Sequence, residues 1–265
     1  MKYVRLLPQV VEITKEVGQY IKNEGDNFDR KKIEKKGLND LVSYVDRTAE
    51  EMLVEKLGKL FPEAGFVAEE GTAGGSEDKE WTWIIDPLDG TTNFLHGLPL
   101  YSVSVALAYQ KKVAIGVVYE PNRDECFYAA EGKGAFLNGE HIKVSETASQ
   151  NDSLLATGFP FQAFEKMPQY MQVLDDFMKT THGLRRMGSA AIDLAWVACG
   201  RFEGFFEYNL KPWDVAAGSF IVQQAGGTVT DFEGDHNFIY GKEIIAGCPD
   251  VHADMLKTIE KRWNS

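Results

Sequence analysis

The chain is poor in cysteine, histidine and long apolar runs. Its three cysteines, Cys126, Cys199 and Cys248, are odd in number and far apart, which excludes a disulfide framework and paired zinc spacings. They read as buried, reduced thiols in a cytoplasmic protein. The five histidines, His96, His141, His182, His236 and His252, show no metal-binding spacing. No segment approaches the roughly 18 apolar residues of a membrane span. Residues 1–8 lack the apolar core and cleavage site of a signal peptide. Repeats and low-complexity tracts are absent. Positive charge is also short: 28 Lys and Arg stand against 40 Asp and Glu, a net charge of −12. That balance argues against nucleic acid or an anionic membrane as partner.

What remains is a globular composition, 44% hydrophobic and 26% charged over 265 residues. The length allows one large domain or two intimately packed halves, divided as 1–150 and 151–265. The stretch that organises the rest is Asp86-Pro87-Leu88-Asp89-Gly90-Thr91-Thr92-Asn93. Trp81 to Ile85, aromatic and β-branched, reads as a buried strand. Pro87 ends it, which places Asp86 at its carboxyl end and Asp89 in the following turn. Gly90-Thr91-Thr92 opens a helix whose first N–H groups make an anion site. Two carboxylates 4 Å apart repel by roughly 4 kcal/mol at an effective dielectric near 20, and divalent ions bridging to a phosphate turn that into attraction. On these eight residues alone, plain capping by Asp explains the pattern equally well.

Along the chain, Val10, Val11, Ile13, Val17 and Ile21 form one stripe of a helix ending near Asn23. The basic run Arg30–Gly37 reads as a solvated face. A second helix carries Val45, Met52, Leu53, Leu57 and Leu60 and stops at Phe61-Pro62, with Asp46 in its first turn. Phe66-Val67-Ala68 is a short strand delivering Glu69 and Glu70. The polar loop 72–78 is a solvent loop or an active-site flap. Residues 101–109, 113–120 and 126–130 read as an antiparallel meander, with Gly132-Lys133-Gly134 a turn and Asn138-Gly139 a hairpin signal. From Ser153 the pattern becomes α/β: strands at 154–157, 202–206, 228–230 and 243–246, and helices at 168–180, 189–199, 213–225 and at the end. Glu207 follows one strand, and Asp214 lies in the first turn of a helix after a strand and loop.

Several acids thus stand at element ends. Trp83–Phe94, Trp213–Gly218, Glu69-Glu70 and Asp40–Asp46 resemble, in order and spacing, the inositol monophosphatase family of Mg²⁺-dependent, lithium-sensitive phosphatases, and the resemblance covers nearly the whole chain. It implies an α-β-α-β-α layered sandwich, a homodimer, and two or three Mg²⁺ ions per site. Glu69, Asp86 and the Leu88 carbonyl would bind one ion, and Asp86, Asp89 and Asp214 a second, with Glu70 near a third. Gly90 and Thr91 would hold the phosphate beside Thr92, while Asp46 hydrogen-bonds Thr91, whose hydroxyl orients the attacking water. Glu207, with Gly188, Ser189 and Ala190, would meet the leaving group. Ala68 departs from the glycine that the family often has there. The implied activity is hydrolysis of an inositol monophosphate. Fructose-1,6-bisphosphatase, NADP 2′-phosphatase and nucleotide 3′-phosphatase activities are its rivals on the same scaffold, and a catalytically silent metal- or phosphate-binding regulator is the rival of another class.

Overall fold

The computed structural model describes residues 3–26, 28, 34–37, 40–72, 79–160 and 164–264. A 3₁₀ turn leads into helix α1 (Leu7–Gly25), and a short antiparallel pair, β1 (Glu34–Gly37) and β2 (Asp40–Val42), precedes α2 (Tyr44–Leu60). Positions 30–33 of the basic run and 73–78 of the polar loop lie outside the described residues.

Strand β3 (Gly65–Ala68) pairs in parallel with β4 (Trp81–Asp89), and the six-residue helix α3 (Thr91–His96) follows. The rest of this sheet is the expected meander: β5 (Ser102–Tyr109), β6 (Lys112–Glu120), β7 (Glu125–Ala130), β8 (Ala135–Leu137) and β9 (Glu140–Ile142). The β8–β9 hairpin turns at Asn138 and Gly139, both at positive φ (49° and 94°), as an Asn-Gly turn demands. One expectation fails. Pro87 does not end β4, which continues to Asp89 through an irregularity between Asp86 and Asp89, a place where a strand tolerates a missing N–H.

The second sheet holds β10 (Leu154–Thr157), β11 (Gly183–Arg185), β12 (Gly204–Tyr208), β13 (Thr228–Thr230) and β14 (Glu243–Gly247), in the order β11-β10-β12-β14-β13. The first three run parallel, and β14 is antiparallel to both its neighbours. Helices α4 (Met167–Thr180), α5 (Ala190–Ala198) and α6 (Pro212–Gln224) connect strands of this sheet, and α7 (Pro249–Trp263) follows β14. Strand β12 lies two residues later than the sequence reading put it, so Glu207 is inside the strand rather than beyond it.

Helices α1 and α2 cover the outer face of the seven-stranded sheet, α5 and α6 lie between the sheets, and α4 and α7 cover the five-stranded one. Three separate apolar cores fill the spaces between these five layers. The sequence explains the placement: α5 is apolar except for Asp193 and wholly buried, whereas α1 is amphipathic with Val10, Val17 and Ile21 inward. This is the layered α-β-α-β-α sandwich anticipated from the sequence. Among the described residues no helix is long and apolar enough to cross a membrane.

Candidate active site

The irregularity in β4 sets the geometry. Asp86 pairs with Ser104 and Asp89 with Ser102, so three steps along β4 match two along β5. One extra residue reverses the side-chain alternation and brings two acids of odd separation onto one face of the sheet. Asp214, from the first turn of α6, meets them there: one oxygen from each of Asp86, Asp89 and Asp214 lies within 4.8 Å of the others. Each acid also anchors its own backbone surroundings. Asp86 Oδ1 accepts the Leu88 N–H (2.9 Å), and Asp214 Oδ2 accepts that of Lys211 (2.6 Å). Asp89 Oδ2 accepts the Ser189 hydroxyl (2.6 Å) and the Ala191 N–H (2.7 Å) at the start of α5. The capping role that competes with a chemical one at sequence level is therefore present as well.

These acids line a cavity of about 310 Å³, the size of a small-molecule site. Its ionisable walls are Glu69, Asp86, Asp89, Asp193, Glu207 and Asp214 against only Arg186 and Lys211. Burial raises the pKa of each central acid. Asp86 and Asp214 are held well above the carboxylate range by burial and then by their neighbours' charge. Asp89 is pushed up to about 6 by burial, opposed by its bonds from Ser189 and Ala191. Glu207 is pushed to about 8, again by burial, with Arg186 pulling the other way. Six acids facing two bases repel an anion unless a cation joins them. Hard oxygen donors without sulfur or imidazole suit Mg²⁺, so the residues present fit that ion.

Of the site residues expected from sequence, all but Asp46 and Glu70 border this cavity, including Leu88, Gly90, Thr91, Thr92, Gly188, Ser189 and Ala190. Asp46 stands behind Thr91. Its Oδ1 accepts the Thr91 hydroxyl (3.0 Å), while Oδ2 accepts the N–H (2.8 Å) and hydroxyl (2.7 Å) of Ser43, a capping box at the head of α2. The Thr91 hydroxyl also lies 2.9 Å from the Leu88 carbonyl, a second acceptor for its one proton. Gly90, at φ 98°, turns the chain from β4 into α3, and a Cβ there would meet the Gly188 carbonyl at 3.2 Å. Glu69, just past β3, hydrogen-bonds Asp86 but is not one of the three clustered acids. Glu70 is not among the residues that line the cavity, and its N–H is held by Glu50.

Sequence reasoning missed four contributors. Glu50, fully buried on α2, accepts the N–H groups of Glu70 and Thr72 and the Thr72 hydroxyl, all at 2.7 Å, and so fixes the chain that carries Glu69. Gly158 leaves room for Glu207, whose carboxylate lies 2.0 Å from where a Cβ would stand. Arg186 borders the cavity and stacks on Phe159, 6.0 Å from its ring centre. Asp193 lines the cavity from inside α5. An arginine pair just before Gly188-Ser189 was a readable signal; an acid inside Ala190–Ala198 was the other.

The model of the inositol monophosphatase family matches residues 4–264. The Nus factor SuhB of Escherichia coli is 40% identical over 251 residues, 95% of this chain and 94% of that protein. The crystal structure of an extragenic suppressor protein suhB from Bartonella henselae superposes with a TM-score of 0.90 at 39% identity, covering 98% of this chain and 99% of the other. An inositol monophosphatase from Anabaena gives a TM-score of 0.87 at 33% identity over 99% and 98% of the two chains. Family model and fold agree along nearly the whole length, and the chain belongs to the inositol monophosphatase family.

Proposed function

We propose that this chain hydrolyses phosphate monoesters in the cytoplasm with Mg²⁺ as cofactor, an inositol monophosphate being the simplest substrate, and that it works as a homodimer. The observation that carries the reading is the convergence of Asp86, Asp89 and Asp214 within 4.8 Å in a cavity walled by acids. Glu69, Asp86, Asp89, Asp214 and the Leu88 carbonyl would hold the ions. When bound, Mg²⁺ supplies charge neutralisation at the phosphoryl group and a lowered pKa for water.

The chain's own residues do the rest. The Thr91 hydroxyl donates its hydrogen bond to Asp46 or to the Leu88 carbonyl, which leaves its oxygen to accept from a water and orient it. Glu69 receives that water's proton as the water attacks phosphorus in line. The N–H groups of Gly90 and Thr91 hold the phosphoryl oxygens, as a helix start does. The phosphorus–oxygen bond to the alcohol breaks, a proton from solvent completes the alcohol, and inorganic phosphate leaves. Glu207, placed by β12 and the space over Gly158, faces the alcohol with Ser189 and Ala190 beside it.

Phosphate release by the purified protein from inositol, sugar, NADP 2′- and nucleotide 3′-phosphates tests the reading, with inositol monophosphate expected to lead. A second reading, that the chain serves as a Nus factor, rests on the name of the Escherichia coli relative. Absence of phosphate release from every ester in the panel would favour it.

A further inference from the structure

Asp193 is an acid that the proposed chemistry leaves unused. It sits one turn into α5, is 1% exposed, and borders the same cavity as Glu207. Its Oδ1 is fully buried and has no hydrogen-bond partner among the described residues. Leaving a carboxyl oxygen unpaired in the interior is costly, and native structures rarely tolerate it without a reason.

Helix capping is not that reason. The N-terminal N–H groups of α5 are already satisfied: Ala191 donates to Asp89, Ile192 to the Ser189 hydroxyl (3.3 Å), and Asp193 itself to the Ser189 carbonyl (3.0 Å). The charged groups around Asp193 are Glu207, Asp89 and Arg186, and all three line the cavity. An acid that caps nothing, carries an unpaired oxygen and borders a ligand-sized space is placed to meet something that enters it. Every other cavity acid has an assignment: Glu69, Asp86, Asp89 and Asp214 face the phosphoryl end, and Glu207 faces the alcohol.

We propose that Asp193 is a specificity-determining residue that, together with Glu207, pairs with hydroxyl groups on the alcohol of the substrate, so that the cavity selects polyol phosphates over monoesters lacking hydroxyls. This rests on the phosphomonoesterase reading above. A hydroxyl both donates and accepts, which matches a carboxyl oxygen that has neither bond made. Two acids on the alcohol side, rather than one, would hold two hydroxyls at once and read their relative position on a ring.

The test measures kcat/KM for inositol 1-phosphate and for phenyl phosphate in the wild type, Asp193→Ala and Asp193→Asn, with a melting curve for each. The inositol-to-phenyl ratio falls about tenfold in Asp193→Ala, the worth of a hydrogen bond from a buried group to a hydroxyl. Most of the ratio returns in Asp193→Asn, which keeps the size and an oxygen acceptor. The melting temperature of Asp193→Ala stays at or above that of the wild type, because an unpaired buried oxygen has been removed. Equal losses on both substrates, an unchanged ratio, or a lowered melting temperature with the ratio intact would each make Asp193 structural and overturn the proposal. A wild type that cleaves phenyl phosphate but no polyol phosphate overturns the specificity proposal and leaves the esterase reading standing. A wild type that cleaves neither overturns both.

Discussion

Glu50→Gln isolates the support of the proposed metal site from the site itself. In the native protein both Glu50 oxygens accept: Oε2 takes the Glu70 N–H, and Oε1 takes the Thr72 N–H and hydroxyl, each at 2.7 Å. Glutamine keeps one oxygen, enough for Thr72, and presents an NH₂ group to the Glu70 N–H. One bond to a charged group is lost, worth about 1.5–3 kcal/mol, and two donors are set face to face. Loss of that bond raises the population of the detached loop by about tenfold to a hundredfold. Glu69 is the residue immediately before the freed N–H, so its carboxylate is no longer prepositioned beside Asp86. Hydrogen exchange should show faster exchange of the Glu70 amide than in the wild type, with the amides of β4 unchanged. Calorimetric titration should show Mg²⁺ binding about tenfold more weakly. Native protection at Glu70 together with native Mg²⁺ affinity would refute the claim that Glu50 holds this segment.

Three further outcomes follow from the same geometry. With Thr91 and Asp46 acting on the water as proposed, Thr91→Ala lowers kcat more than it raises KM, with Asp46→Asn a milder version; an effect confined to KM in steady-state kinetics would assign them to substrate binding. Gly158→Ala reproduces Glu207→Gln, since its Cβ would stand 2.0 Å from the Glu207 carboxylate and push it aside; both variants lose inositol phosphate turnover selectively, and an unaffected Gly158→Ala would show that Glu207 does not need its observed position. Mg²⁺ affinity rises with pH through about 6 and goes on rising above it: burial pushes Asp89 up to about 6 in the folded, metal-free protein and holds Asp86 and Asp214 well above the ordinary 3.8, so protons must leave before a cation binds. Mg²⁺ titrations followed by thermal melting at pH 5, 6, 7 and 8 would show a flat affinity if this coupling were absent.

Much of this was legible in the sequence because it rests on local signals. Asp86, Asp89 and Asp214 stand beside Pro, Gly and strand-to-helix transitions, and those punctuate the chain whatever the tertiary context. The meander and most of the helices follow from alternation and from a period of 3.6. Pro87 misled because a proline in a strand reads as a stop, whereas here it sits in an irregularity of β4 and the strand resumes. Glu50 and Asp193 were illegible for a different reason. A buried acid interrupts the apolar pattern of its helix, and only the tertiary neighbours, Thr72 in one case and the cavity in the other, explain it. Gly158 likewise has no sequence signature, because the demand for a missing side chain is made by Glu207, far along the chain.

The most direct measurement is phosphate release from inositol 1-phosphate by the wild type, Asp86→Asn and Asp214→Asn, each stripped with chelator and then titrated with Mg²⁺. The wild type is expected to be inert after stripping and restored by Mg²⁺. The two variants should stay folded and remain nearly inactive at any Mg²⁺ concentration, since each removes an acid from the cluster within 4.8 Å. Full turnover in chelator, or wild-type turnover in both variants, would contradict the metal-dependent esterase.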